Sequence, residues 1–88
     1  MIIEPHPSFV KSYQKRIAHY PKLVAKTKER LTLFVQNSAH PLLDDHALSG
    51  RKLQLRAFSV TGDIRVVYFP ITEDRVLLLD IGTHNQVY

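Results

Sequence analysis

The stretch LQLRAFSVTGDIRVVYFPITEDRVLLLDI, residues 53–81, decides the fold of this chain. Apolar and polar residues alternate along residues 53–60 and 63–69, and residues 75–81 form a nearly continuous apolar run. Both patterns favour β-strands over helices. Turn-forming residues separate the three segments, Thr61-Gly62 in the first gap and residues 70–74 in the second. The stretch therefore predicts three antiparallel strands joined by short turns.

The register of the first hairpin sorts the two faces of the predicted sheet. If Thr61-Gly62 is a two-residue loop, Val60 pairs with Asp63. One face is then mostly apolar and is expected to pack on helices; it consists of Leu55, Ala57, Ser59, Ile64, Val66 and Tyr68. The opposite face is predicted to be open to solvent or a ligand, because no helix remains to cover it. It carries Arg56, Phe58, Asp63, Arg65 and Val67.

The first half of the chain has the spacing of amphipathic helices. Apolar residues recur three and four positions apart, which predicts a helix over about residues 8–20 and, after Pro21, a second one up to about Asn37. Residues 37–52 read as a loop with one helical turn, and residues 2–4 as an added edge strand. The expected fold is α+β: an N-terminal strand and a two-helix hairpin packed on one face of a small antiparallel sheet, with residues 1–88 as a single domain.

Composition and charge bound the function. The 88 residues are 44% hydrophobic and include no Cys, so neither a disulfide framework nor a thiolate metal site is expected. No apolar stretch approaches the roughly 20 residues that span a bilayer, and we expect a soluble, cytoplasmic protein. Residues 1–37 carry a net charge of +5 and residues 38–88 a net charge of −1. This balance suits an anionic partner such as nucleic acid, although a solvated basic helix face is the commoner explanation.

Several kinds of site are excluded by the motifs. The five residues between His40 and His46 match no standard zinc spacing, so we predict no metal. The three isolated glycines form no phosphate-binding loop, and no G-x-S-x-G element is present. No cofactor is predicted.

The remaining polar residues suit RNA cleavage by the substrate's own 2′-hydroxyl. That reaction needs a base, an acid for the departing 5′-oxygen, and fixed positive charge on the phosphate. Histidine fills either proton role, arginine binds phosphate, and aromatic rings such as Phe58 and Tyr88 stack on unpaired bases. Each residue taken singly also has a structural explanation, for example a turn cap for Asp44 or Asp45 and a core plug for Tyr88.

Three segments together resemble the RelE/ParE superfamily of bacterial type II toxins, and within it the YafQ-like mRNA interferases. They are DDHALSG (44–50), LRAFSVTGDIRVVY (55–68) and LLLDIGTHNQVY (77–88). The resemblance covers nearly the whole chain. It implies a metal-independent endoribonuclease that cleaves mRNA in the ribosomal A site and is silenced by a cognate antitoxin protein that wraps it.

The resemblance also assigns roles. It places His46, His84 and Asp63 in acid–base chemistry, Arg65 on the scissile phosphate and Tyr88 in the substrate pocket. Further candidates for binding the substrate are Arg51, Lys52, Arg56 and Phe58.

Two departures from the YafQ-like pattern stand out. Ser59 replaces a histidine, and Asp80 replaces an arginine whose charge Arg56 is a candidate to supply. The alternatives are a ParE-like toxin that binds DNA gyrase and an inactive RNA-binding relative. The two histidines and Asp63 argue against the first, because a purely binding surface has no need of such groups.

Overall fold

The computed structural model describes residues 1–52 and 54–88, apart from the side chain of Arg51. The described residues form an α+β fold, as the sequence predicts. Its elements, in chain order, are β1 (Ile2–Pro5), α1 (Pro7–Arg16), α2 (Pro21–Gln36), β2 (His46–Ala47), β3 (Arg56–Ser59), β4 (Ile64–Thr72), β5 (Arg75–Thr83) and α3 (His84–Val87). Single 3-10 turns at Pro41–Leu43 and Gly50–Lys52 flank β2.

The strands form one sheet in the order β1-β5-β4-β3-β2. β1 runs parallel to β5 at one edge, and every other neighbouring pair is antiparallel. The added edge strand β1 and the three-strand meander were predicted. β2 at the opposite edge was not, because two residues between turns show no periodicity. β4 also continues through Pro70 to Thr72, which leaves only residues 73–74 for the second turn.

The two long helices cover one face of the sheet, as predicted. The ring of Phe34 on α2 stacks on Phe58 of β3 at 4.5 Å between centroids and meets Tyr68 of β4 edge-on at 4.9 Å. Ile17 and Ile81 are fully buried in the same cluster. Burying one such side chain contributes about 1.5–3 kcal/mol, so this apolar layer is the main stabilising feature of the fold.

The predicted register of the first hairpin is wrong by one residue. Ser59 pairs with Arg65 and Phe58 with Val66, and the loop holds three residues, 61–63. The cause is the Thr61 hydroxyl, which accepts the backbone N–H groups of residues 63 and 64 at 3.2 and 3.0 Å and so builds the longer turn. A shift of one residue moves every β3 side chain to the other face. Phe58 is therefore 0% exposed in the core, not on the open face.

The second face of the sheet is also not left open, contrary to prediction. Val87 of α3 is 2% exposed and packs there on Ala57 and Val67, with Leu48 and Leu55 beside them. The signal for α3 is the sequence Thr83-His84-Asn85-Gln86, which has the spacing of a helix capping box. Among the described residues, none of the helices is long and apolar enough to cross a membrane.

Candidate active site

His46 is positioned by a strained turn. Asp44 follows the turn Pro41–Leu43 with φ at 47°, a left-handed conformation that Asp tolerates better than most residues. The carbonyl oxygen of Asp44 lies 2.8 Å from His46 Nδ1. Because a carbonyl oxygen only accepts, Nδ1 carries the proton in this hydrogen bond, and the lone pair of neutral His46 is on Nε2. The turn thus sets both the tautomer and the direction of the unprotonated nitrogen.

Asp45 ties the His46 strand to the sheet. Its carboxylate accepts a hydrogen bond from Tyr68 Oη at 2.6 Å and one from Arg56 Nε at 3.1 Å, and its side chain is 11% exposed. Burial, and then the hydrogen bond to Asp45, raise the pKa of Tyr68 well above its ordinary value. Tyr68 therefore stays protonated and donates throughout the neutral range.

The C-terminal segment is anchored at both of its ends. Gln86 Oε1 accepts the Thr83 N–H at 2.8 Å at the start of α3. Lys52 Nζ donates to the carbonyl oxygen of Val87 at its end. These bonds and the buried Val87 side chain hold His84 and Tyr88 against the sheet.

Gly82 lies within β5, where a glycine is required for space. A Cβ there would lie 2.6 Å from Gln86 Oε1 and 2.8 Å from Arg16 Nη1. Gly82 thus lets α3 and the end of α1 approach the same point of the strand.

His46, Tyr88 and His84 form one cluster. The rings of His84 and Tyr88 meet edge-to-face at 4.5 Å between centroids, and Tyr88 Oη lies 3.4 Å from His46 Nε2. Burial raises the pKa of Tyr88, the nearby Asp44 adds to the shift and the charge of Arg65 opposes it. The phenol is therefore protonated at neutral pH and donates toward Nε2. Tyr88 keeps 37% of its surface exposed and borders a cleft of about 370 Å³ with Leu48, Ser49 and Lys52.

Arg65 lies near this cluster, on the strand opposite Gly82. Its Nη1 donates to the carbonyl oxygens of Thr61 at 2.9 Å and Ile64 at 3.3 Å. No ion pair engages it among residues 1–52 and 54–88. Its full charge is therefore available to an anion, and it already acts on the Tyr88 phenol.

The other predicted site residues divide into four groups. Asp63 is exposed at the hairpin tip, and no described hydrogen bond or ion pair joins its carboxylate to either histidine. Arg56 was predicted on the open face but lies on the same face of β3 as Phe58 and pairs with Asp45. Lys52 donates a hydrogen bond to the carbonyl oxygen of Val87. Phe58 is buried, so the prediction that it stacks on a base is wrong. The side chain of Arg51 lies outside the described residues.

Sequence reasoning missed the residues that support the site. Asp45 and Tyr68 contact each other across 23 positions of sequence, and no local pattern signals such a pair. Asp80, which departs from the family pattern, pairs with Arg16 at 3.1 Å. Within the described chain, no group of three or more His, Asp or Glu side chains is arranged to hold a metal ion.

Comparison with known proteins identifies this fold. No protein-family model matches the chain, and no curated protein sequence matches it. Among solved structures, a copper-bound mutant toxin from Helicobacter pylori is 25% identical, with a TM-score of 0.76 over 100% of this chain and 99% of that one. YafQ in the Escherichia coli DinJ–YafQ toxin–antitoxin complex is 24% identical, with a TM-score of 0.76 over 98% of this chain and 94% of that one. A YoeB/ParE toxin from Agrobacterium tumefaciens is 17% identical, with a TM-score of 0.74 over 96% and 99%.

These structures confirm the predicted resemblance to RelE/ParE-type, YafQ-like toxins. The likeness extends over the whole fold, from β1 to α3, and not over one motif. The chain is thus similar to toxins of toxin–antitoxin systems.

Proposed function

We propose that this chain is the toxin of a type II toxin–antitoxin system and an endoribonuclease that cleaves mRNA in the ribosomal A site without a metal. The observation that carries the proposal is the cluster of His46, Tyr88 and His84 beside the unpaired charge of Arg65. Two imidazoles that can exchange protons and a fixed cation are what 2′-hydroxyl attack on a phosphodiester requires.

In this proposal His46 is the base. Its Nδ1 proton is held by the Asp44 carbonyl, so Nε2 is the nitrogen that can take the 2′-proton. The contact from Tyr88 Oη to Nε2, at 3.4 Å, is long, so a substrate hydroxyl can displace the phenol. The freed 2′-oxygen attacks phosphorus, the bond to the 5′-oxygen breaks, and a 2′,3′-cyclic phosphate forms.

His84 is then the acid that gives its proton to the departing 5′-oxygen. Its ring is exposed and lies against Tyr88, whose hydroxyl in turn approaches His46. Arg65 stabilises the charge that develops on the phosphate, and Asp63 is proposed to orient one of the histidines when RNA is bound. Arg56 is left out of this step because its charge is committed to Asp45.

A cognate antitoxin is the proposed protein partner, and the cytoplasm the proposed location. Support for the partner comes from YafQ, which was solved as a complex with DinJ. Residues 1–37, with a net charge of +5, offer a basic surface that an acidic partner segment would neutralise.

The test is cleavage of a defined mRNA in a reconstituted translation reaction, with and without ribosomes, with the cut ends mapped. His84→Ala and His46→Ala should each lower the cleavage rate by about 10²–10⁴-fold, the usual contribution of one acid or base. His19→Ala is the matched control, because His19 is exposed in the turn between α1 and α2, away from β2 and α3.

Two results would contradict the proposal. Intact message with normal ribosome or RNA binding would favour an inactive RNA-binding relative. Intact message together with inhibition of gyrase supercoiling would favour the ParE-like alternative.

A further inference from the structure

A second basic cavity lies between α2 and the hairpin that joins β3 to β4, apart from the Tyr88 cleft. It has a volume of about 460 Å³. Its polar lining comes from two separate parts of the chain and consists of Lys26, Arg30, Ser59, Thr61 and Arg65. None of the residues that line it is acidic.

The cavity concentrates positive charge. Three basic residues line this one space, Lys26 and Arg30 from α2 and Arg65 from β4. The nearest described ion pair is that of Lys26 with Glu29 at 3.2 Å, which is largely exposed and therefore weak. Mutual repulsion of three cations is unfavourable unless an anion joins them.

Arg30 is fixed at the wall of the cavity by a hydrogen bond to the backbone. Its Nη1 donates to the Leu42 carbonyl at 3.0 Å, which holds the guanidinium at the cavity wall. Its Nε is buried and has no hydrogen-bond partner within the described chain.

The hairpin loop leaves the cavity accessible. A Cβ placed on Gly62 would meet no heavy atom within 4 Å, so a ligand can approach the loop backbone closely. Ser59 adds a hydroxyl beside Arg65, its cross-strand partner. Planar guanidinium groups and hydroxyls are the usual ligands of phosphate oxygens.

We infer that this cavity is a second phosphate site, which binds a backbone phosphate of the RNA strand next to the one that is cleaved. Arg65 lines the cavity and also acts on Tyr88, so one arginine connects the two sites. The identification of the ligand as RNA rests on the proposed function. The phosphate chemistry rests on the cavity alone.

The test measures binding of a fully 2′-O-methylated single-stranded RNA, which cannot be cleaved, by fluorescence anisotropy at several salt concentrations. Arg30→Gln and Lys26→Gln are compared with Lys22→Gln, an exposed charge on the same helix that does not line the cavity. Losing one phosphate contact should lower the slope of log K against log salt by about 0.7. It should also weaken binding roughly tenfold at low salt for Arg30→Gln.

A parallel titration follows the amides of Thr61 and Gly62 by NMR as inorganic phosphate is added. Shifts in the wild type that are lost in Arg30→Gln, together with the smaller salt slope, support the inference. Phosphate-dependent shifts with an unchanged RNA slope would assign the cavity to free phosphate and overturn the RNA ligand. No shift and no change of slope would overturn the site itself.

The outcome is separable from that of the cleavage test. Ribosome-dependent cleavage with an unchanged slope in Arg30→Gln would remove the second phosphate site and leave the nuclease. Absent cleavage with the predicted loss of slope would leave an RNA-binding protein with this site. Circular dichroism of Arg30→Gln, with Arg30→Lys as a charge-preserving variant, checks that the fold persists.

Discussion

Replacing Asp45 by Ala should destabilise the protein and misplace His46. The Asp45 carboxylate, directly before β2, accepts hydrogen bonds from Tyr68 of β4 and Arg56 of β3. Its removal leaves the buried Tyr68 hydroxyl without an acceptor.

The magnitude follows from the exposure of each partner. A hydrogen bond to a charged group contributes about 1.5–3 kcal/mol, and an orphaned buried donor loses about that much. We assign this full free energy to the hydrogen bond from Tyr68, because its hydroxyl is buried. The Arg56 side chain is 39% exposed, so its ion pair with Asp45 adds at most about 1 kcal/mol. We therefore expect Asp45→Ala to cost about 3 kcal/mol, or about 12–24 °C in Tm for a domain of this size.

Urea unfolding followed by circular dichroism provides the assay, with Tyr68→Phe and the double variant completing a cycle. The coupling between Asp45 and Tyr68 should be about 1.5–2 kcal/mol, because neither side chain has another partner of equal strength. Asp45→Asn is the matched control, since it keeps an acceptor for Tyr68 and should lose less. A coupling below about 0.5 kcal/mol would refute the argument that this bond holds β2 in place.

Three further predictions concern other residues that hold the candidate site in place: Tyr68, Gly82 and Asp44. The pKa of Tyr68 is raised in the folded state, so the stability that its protonated hydroxyl contributes is complete below the unfolded value of about 10 and is lost as pH rises above it. The stability of the wild type should therefore fall above about pH 10 more steeply than that of Tyr68→Phe. Urea unfolding midpoints measured across that pH range test this. Gly82→Ala should lower the free energy of unfolding by about 1 kcal/mol, because the new methyl group displaces only the flexible ends of Gln86 and Arg16. Adding Gln86→Ala should recover part of the lost Tm. If the double variant recovers none of it, backbone strain is the cause instead. Asp44→Ala should cost about 1–2 kcal/mol because of the left-handed φ, whereas Asp44→Gly should be nearly neutral in the same unfolding measurement.

The helices and strands that could be predicted are those long enough for the burial of one face to produce a regular spacing of apolar residues in the sequence. Spacings of three and four revealed α1 and α2, and alternation revealed β3 and β4, because these elements each bury one face against the same core. β2 and α3 are too short for a period, although the T-x-x-Q spacing at Thr83 was a usable local signal.

The register of the first hairpin was predicted wrongly because it depends on side-chain chemistry that the periodicity of apolar residues does not reveal. Both faces of β3 are partly apolar, with Ala57 facing Val87 and Phe58 facing Phe34, so alternation alone does not say which face meets the helices. The turn decides, and its length depends on one hydroxyl of Thr61. Specific roles for His46 and His84 came only from a family resemblance, because the contact that links His46 to the C-terminal segment joins residues 42 positions apart.

The charge pattern around β5 explains how Asp80 is compatible with the proposed phosphate site at Arg65. β1 pairs with β5 only as far as Leu78, so the edge of β5 beyond that residue is free to receive the end of α1. Arg16 lies there, 3.1 Å from the Asp80 carboxylate, and its Nη1 also donates to the Ile81 carbonyl at 3.1 Å.

An acid that is paired in this way exerts little field at a distance, because the two charges cancel beyond their own separation. Arg65, across the strand from Gly82, carries no such partner within the described residues. The positive potential needed on a phosphate is thus retained at Arg65, while the charge that departs from the family pattern is used to fasten α1 to the sheet.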